Sequence, residues 1–177
     1  CSTQETWCGS TKFNGTICNR VSRLSEDGAV DSSFNTSGAG ANNTIRSAII
    51  QTDNKIVLAG VFTTYNGVLA NRITRILPDG LLDPTFITGL GSNNQIYALA
   101  LQADGKIIIA GNFTSYNGVL VNRIARLLPN GILDLTFNTG LGADAIVEAV
   151  LLQPDGKIVL GGRFATFNGG SYNRMIR

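Results

Sequence analysis

Three residue classes in this chain invite a chemical reading. The cysteines Cys1, Cys8 and Cys18 all lie near the N-terminus. A Cys8–Cys18 disulfide closing the N-terminal segment is the plain expectation, and it fits an oxidising compartment. Cys1 is then left for a bond between subunits, for pairing in place of one of the others, or for lipid attachment at the first residue. Neither the cysteine spacing nor the residue set provides a zinc site. Asp27, Asp79, Asp104 and Asp155 each precede a glycine or its turn. Such acids resemble calcium ligands, but a calcium loop needs about five or more converging oxygens, and the spacing shows no such cluster. Turn formation is the better reading, because aspartate hydrogen-bonds its own backbone there. Asn14, Asn35, Asn42 and Asn112 open Asn-x-Ser/Thr frames that can accept a glycan. Asn35 and Asn42 fall in a polar, glycine-bearing loop with room for one.

What is missing says as much. The 177 residues contain no histidine. That removes Ser-His-Asp and Cys-His nucleophile pairs, histidine metal sites and the usual general base. No nucleophile–base pair and no paired carboxylates stand out, so the expectation is no catalytic residue, no metal, no cofactor and no enzyme. A net charge of +2, with no run of Lys or Arg, gives no footprint for nucleic acid. The chain is 44% hydrophobic and 15% charged, enough for a core and too apolar for disorder. No segment reaches the roughly 18 to 20 apolar residues that span a membrane. The chain begins at Cys1 without an initiator methionine and reads as processed or trimmed, so a missing leader does not argue against export.

The elements that carry these residues repeat. Gln51-Thr52-Asp53-Asn54-Lys55-Ile56 returns as Gln102-Ala103-Asp104-Gly105-Lys106-Ile107 and as Gln153-Pro154-Asp155-Gly156-Lys157-Ile158. An aromatic-Asn-Gly turn recurs at Phe13, Tyr65, Tyr116 and Phe167, a period of about 51 residues. An Asn-Arg-x-x-Arg phrase runs from Asn19 to Arg23, Asn71 to Arg75, Asn122 to Arg126 and Asn173 to Arg177. Arg72 and Arg75, three apart on a strand, face opposite ways. Their return in every unit argues that they brace the fold, against Asp83 and Asp134, since a catalytic arginine would appear once.

Within a unit the pattern is all-β. Residues 96–102 read as a strand ending at the Asp104-Gly105 turn, and 106–114 as its return. Asp-Gly between apolar runs signals a hairpin, because both turn residues are expected to accept positive φ. The same holds at Asp155-Gly156, Asn66-Gly67 and Asn117-Gly118. A third strand over about 121–128 and a short fourth over 132–137 complete the unit. Both faces of Tyr97-Ala98-Leu99-Ala100-Leu101 and Ile107-Ile108-Ile109 are apolar or small, so each sheet is covered on both sides. Tandem four-stranded antiparallel repeats that pack face to face suit the blades of a β-propeller; a stacked β-solenoid is the alternative.

The phrases Q-x-D-G-K-I-x-x-x-G, N-R-[IV]-x-R-L and D-G-x-[LV]-D-x-x-F resemble those of the bacterial delta-sixty repeat family across nearly all of residues 13–177. The resemblance implies a propeller-type fold in an exported or cell-surface protein and supplies no catalytic residues. The first unit departs most, with Asp53-Asn54 in place of Asp-Gly and a drifted loop over 35–43. Residues 1–12 lie outside the pattern and read as an N-terminal linking segment. Residues 13–177 form the repeat domain, with units turning over near 13, 65, 116 and 167.

About three and a half units are present, while propellers close with about four or more blades. Three outcomes fit: a fragment of a longer propeller, two copies completing a ring, or a head-to-tail polymer in which open β-edges accept a neighbouring copy. The expected function is therefore a non-enzymatic extracellular structural protein that self-assembles into a surface fibre and carries covalent glycans. The alternative is a propeller-type adhesion module recognising glycan or protein, against which the single tryptophan, Trp7, lying outside the repeats, counts.

Overall fold

The computed structural model describes residues 4–7, 12–13, 15–17, 19–36 and 38–177. Within them the chain is all β, without an α-helix, and so without a helix long and apolar enough to cross a membrane. The strands fall into four successive units. The first holds β1 (Gln4–Trp7), β2 (Lys12–Phe13), β3 (Thr16–Ile17) and β4 (Val21–Leu24). The second holds β5 (Ile45–Ile50), β6 (Ile56–Gly60), β7 (Thr64–Tyr65), β8 (Val68–Leu69) and β9 (Ile73–Ile76). The third repeats it as β10 (Ile96–Leu101), β11 (Ile107–Gly111), β12 (Ser115–Tyr116), β13 (Val119–Leu120) and β14 (Ile124–Leu127). The fourth comprises β15 (Val147–Leu152), β16 (Ile158–Gly162), β17 (Thr166–Phe167), β18 (Gly170–Ser171) and β19 (Met175–Ile176).

Each complete sheet is antiparallel, ordered β5-β6-β9, β10-β11-β14 and β15-β16-β19, and remains open. In the first unit β1 pairs with β4, and Gln4↔Leu24 through Trp7↔Val21 matches the register of Ile56↔Ile76 through Ala59↔Ile73. Residues 4–7 thus fill the middle-strand position of the first unit.

The expected third and fourth strands are shorter in the structure, for backbone reasons. Arg123 sits at φ 67°, as Arg72 does at 65° and Arg174 at 63°. A left-handed residue cannot lie in a strand, so β14 begins only at Ile124. The fourth strand reduces to the single bridge Leu127↔Leu133, repeated as Ile76↔Leu82 and Leu24↔Val30. Beyond it the Asp134 carboxylate accepts from the Thr136 amide at 3.0 Å, turning the chain away from the sheet. The Asn-Gly turns instead carry small two-stranded hairpins of their own, such as Ser115–Tyr116 with Val119–Leu120.

Turn geometry separates two kinds of hairpin. Asn66 and Gly67 both have positive φ, at 48° and 78°, as do Asn117 and Gly118 at 47° and 78°, the expected two-residue turn. At Asp104-Gly105 only the glycine is left-handed, at 82°. There Asp104 stays in ordinary space and its carboxylate caps the Lys106 amide at 3.2 Å, as Asp155 does for Lys157 at 3.1 Å. Asn54 takes the glycine's role at φ 62°, which asparagine tolerates better than most residues.

The core lies between units. Val57, Ala59 and Ile73 of the second sheet bury against Leu99, Ile107, Ile109 and Leu127 of the third. The opposite face of the third, with Ile108, Ala110 and Ile124, buries against Leu160, Phe164 and Val147 of the fourth. Phe62, Phe113 and Phe164 are wholly buried at one repeated position. β5, β10 and β15 each slip register at their second residue, where the partner strand presents Gly60, Gly111 or Gly162. A Cβ on Gly111 would stand 2.2 Å from the Gln95 carbonyl oxygen and 2.9 Å from the Ile96 Cα. Gly111→Ala is therefore expected to cost about 2 kcal/mol or more through backbone displacement. Gly118→Ala, with open space but a left-handed φ, is expected to cost about 1 kcal/mol. Urea-unfolding midpoints check this ranking, and equal midpoints would contradict it.

Candidate functional site: an arginine seam between units

The repeated arginine of the third strand gathers a polar cluster in each of the first three units. Arg75 Nε donates to Asp83 Oδ2 at 2.8 Å, and Arg126 Nε does the same to Asp134 at 2.8 Å. Arg23 forms the corresponding pair with Asp31 at 2.8 Å. The brace expected against Asp83 and Asp134 is thus present. Each guanidinium also lies over a phenyl ring: Arg23 on Phe34 at 5.1 Å, Arg75 on Phe86 at 4.9 Å and Arg126 on Phe137 at 4.8 Å. A hydroxyl completes the set, since Thr85 Oγ1 accepts from Arg75 Nη2 at 2.9 Å and donates to Asp83 Oδ1 at 2.7 Å.

The seam also crosses to the next unit. Arg23 Nη1 donates to the Pro78 carbonyl at 2.5 Å, and Arg75 Nη1 donates to the Pro129 carbonyl at 2.7 Å. Alongside, the Asn35 amide donates to Asp79 and the Ile87 amide to Asn130, both at 2.7 Å. One arginine therefore fixes its own turn and holds the turn of its neighbour. Gln51 Oε1 accepts from Arg75 Nη1 at 2.9 Å, whereas the equivalent Gln102 Oε1 is buried without a hydrogen-bond partner. The buried tyrosines add a second tie: Tyr65 donates to the Gly80 carbonyl at 2.9 Å and Tyr116 to the Gly131 carbonyl at 2.8 Å. Burial pushes both phenols above their ordinary range.

Asp83 is almost wholly buried, with Lys55 Nζ also 3.3 Å away. Burial alone would raise its pKa. Hydrogen bonds from the Thr85 hydroxyl and amide and from Lys55, with the charge of Arg75, outweigh that and hold it at about 2. Asp134 is likewise lowered, chiefly by the Thr136 hydroxyl. These carboxylates are kept ionised and engaged, a structural arrangement.

Cys1, Cys8, Cys18 and Asn14 lie outside the described residues. The Asn35 side chain is engaged: its Oδ1 accepts from Asn66 Nδ2 at 2.8 Å. Asn42 Oδ1 caps the amides of Thr63 and Thr64 at 2.8 and 3.1 Å, and its Nδ2 donates to Thr63 Oγ1 at 2.9 Å. Asn93 and Asp144 perform the same capping one and two units later. Asn112 is half-buried at the end of β11. Among the described residues no three His, Cys, Asp or Glu side chains gather as a metal site. Sequence reasoning missed the inter-unit acceptors and the stacked phenylalanines. The phrase D-G-x-[LV]-D-x-x-F held the signal, because it carries the acceptor turn, the aspartate and the ring together.

A family model described as Domain of unknown function (DUF5122) beta-propeller matches residues 8–34, 51–86, 102–137 and 153–177. No curated protein and no solved structure matches the chain.

Asp83 gives a pH test. Its folded pKa lies below the unfolded value of 3.8, so its contribution is present above that value. It is lost as pH falls toward 2, and amounts to about 2 kcal/mol. In Asp83→Asn the loss of stability between these limits should be correspondingly shallower. Parallel slopes for the two proteins in acid urea titrations would contradict the assignment.

Proposed function

We propose that this chain, which belongs to the Domain of unknown function (DUF5122) beta-propeller family, is a non-enzymatic structural module that assembles with copies of itself through the faces of its blades. One observation carries the reading. In the third blade the row Ala98, Ala110 and Ile124, with Ala100 and Ile108 beside it, is covered by the fourth blade. The fourth blade presents the same row outward as Ala149, Gly161 and Met175, beside Leu151 and Val159. Leu151 is 63% exposed and Met175 67% exposed. The occupant that fits this face is another blade of the same pattern, since its register repeats that of the covered face. A contact between unlike ends that does not close on itself builds a filament. Among the described residues β1 pairs with β4, and Ile50 of the second blade is 51% exposed.

The three repeated phrases support kinship with the delta-sixty repeats of exported bacterial proteins and hence an extracellular or cell-surface setting. A Cys8–Cys18 disulfide belongs to this reading. So does a glycan on Asn42, which is exposed and, among the described residues, donates one of its two amide hydrogens, toward Thr63. A sugar on that nitrogen leaves the capping interactions intact.

Sedimentation velocity and negative-stain imaging of the purified chain test the assembly. The chain is expected to associate with rising concentration into linear particles. Leu151→Glu with Met175→Glu is expected to leave monomers of unchanged thermal stability. A wild-type chain that stays monomeric throughout would overturn the reading.

A further inference from the structure

Repetition gives a way to separate what the fold demands from what it does not. The first strands β5, β10 and β15 each carry a one-residue bulge, with Arg46, Tyr97 and Glu148 as the extra residues. Bulges re-aim a side chain out of the pleat and recur beside binding sites. The frame around these three is constant. Gly60, Gly111 and Gly162 oppose the bulge, and the amides of Val61, Asn112 and Arg163 donate to the carbonyls of Thr44, Gln95 and Ile146 at 2.8, 2.9 and 2.8 Å. Within that frame the side chains change in kind, from Thr44 to Gln95 to Ile146, from Arg46 to Tyr97 to Glu148, and from Val61 to Asn112 to Arg163. The seam arginines, which the fold requires, do not vary in this way.

These varied residues interact with one another. The Arg46 guanidinium lies 4.6 Å from the Tyr97 ring centroid, joining the second and third blades. Arg163 Nε donates to Glu148 Oε1 at 2.8 Å in the fourth. In the third blade, Gln95 Oε1 is buried with no hydrogen-bond partner, next in sequence to the bulged strand that carries Tyr97. The varied positions thus bring together one half-exposed aromatic ring, two guanidiniums, a carboxylate and two amides, with Thr44, Val61 and Ile146 completing the set.

We propose that this row is a saccharide-binding site. The Tyr97 ring offers a face for the C–H side of a sugar. Asn112 and Glu148 supply acceptors, and Asn112, Arg46 and Arg163 supply donors for its hydroxyls. The carboxylate of Glu148 opposes a phosphate ligand, and an apolar ligand would leave these polar heads unpaired. The site does not involve Leu151 or Met175, so it stands or falls independently of assembly.

The test is binding of the full chain to an immobilised panel of oligosaccharides built from neutral hexoses, N-acetylhexosamines and uronic acids, followed by titration with the best binder. Amide NMR shifts should move at residues 95–97, 112 and 148. Tyr97→Ala should weaken binding by at least about tenfold, a change of about 1.4 kcal/mol. Glu148→Gln, on an exposed side chain, should weaken binding without changing the urea midpoint. The non-associating Leu151→Glu with Met175→Glu protein should bind as the wild type does. No binding across the panel, or binding that neither Tyr97→Ala nor Glu148→Gln reduces, overturns the proposal.

Discussion

Arg75 reaches out of its own sheet and donates to a carbonyl in the next one, while its other nitrogens hold Asp83 and Thr85. The same geometry begins at Arg23 and starts again at Arg126. This bond ties the first unit to the second and the second to the third. A three-stranded sheet with two apolar faces cannot bury both by itself, and its neighbours supply the cover. The faces are rows of mostly Ala, Ile, Val and Leu. The arginine, seated on Phe86 and aimed at one carbonyl, selects a single offset.

That division of labour follows from the energetics. Burying apolar area drives the stacking, at about 25 cal/mol for each Å² removed from water. The buried Arg75–Asp83 pair adds less than its closeness suggests, since both charges first lose their hydration. Removing one partner would leave the other buried and uncompensated, so the pair is costly to break. Its value here lies in register. The left-handed arginines Arg72, Arg123 and Arg174 serve the same end, because each stops the preceding hairpin and sets where the third strand begins.

Much of this was legible in the residues. The 51-residue period, the Asp-Gly and Asn-Gly turns and the two-faced apolar strands specify stacked antiparallel sheets. The Arg–Asp brace followed from its recurrence. Strand limits were less legible, because a positive φ at arginine has no compositional mark and the Asp134-x-Thr136 turn resembles a strand until its side-chain bonds are known. The inter-blade acceptors were hidden for another reason: they are backbone carbonyls, which every residue has. The bulge row was invisible because register slips cannot be read from alternation alone. Its residues, Arg46, Tyr97 and Glu148, looked like ordinary repeat drift.

A stack whose blades are stable only through their neighbours has a graded stability that no isolated sheet would show. Native-state hydrogen exchange resolved by residue, run on the non-associating Leu151→Glu with Met175→Glu protein, measures it directly. Amides of β6, β9, β11 and β14, whose sheets are covered on both faces, should exchange slowest. Those of β16 and β19, with one face uncovered, should exchange markedly faster despite the same sheet order and turn chemistry. Equal protection in the third and fourth blades would contradict the account, since it would place the stability within each sheet and not between them.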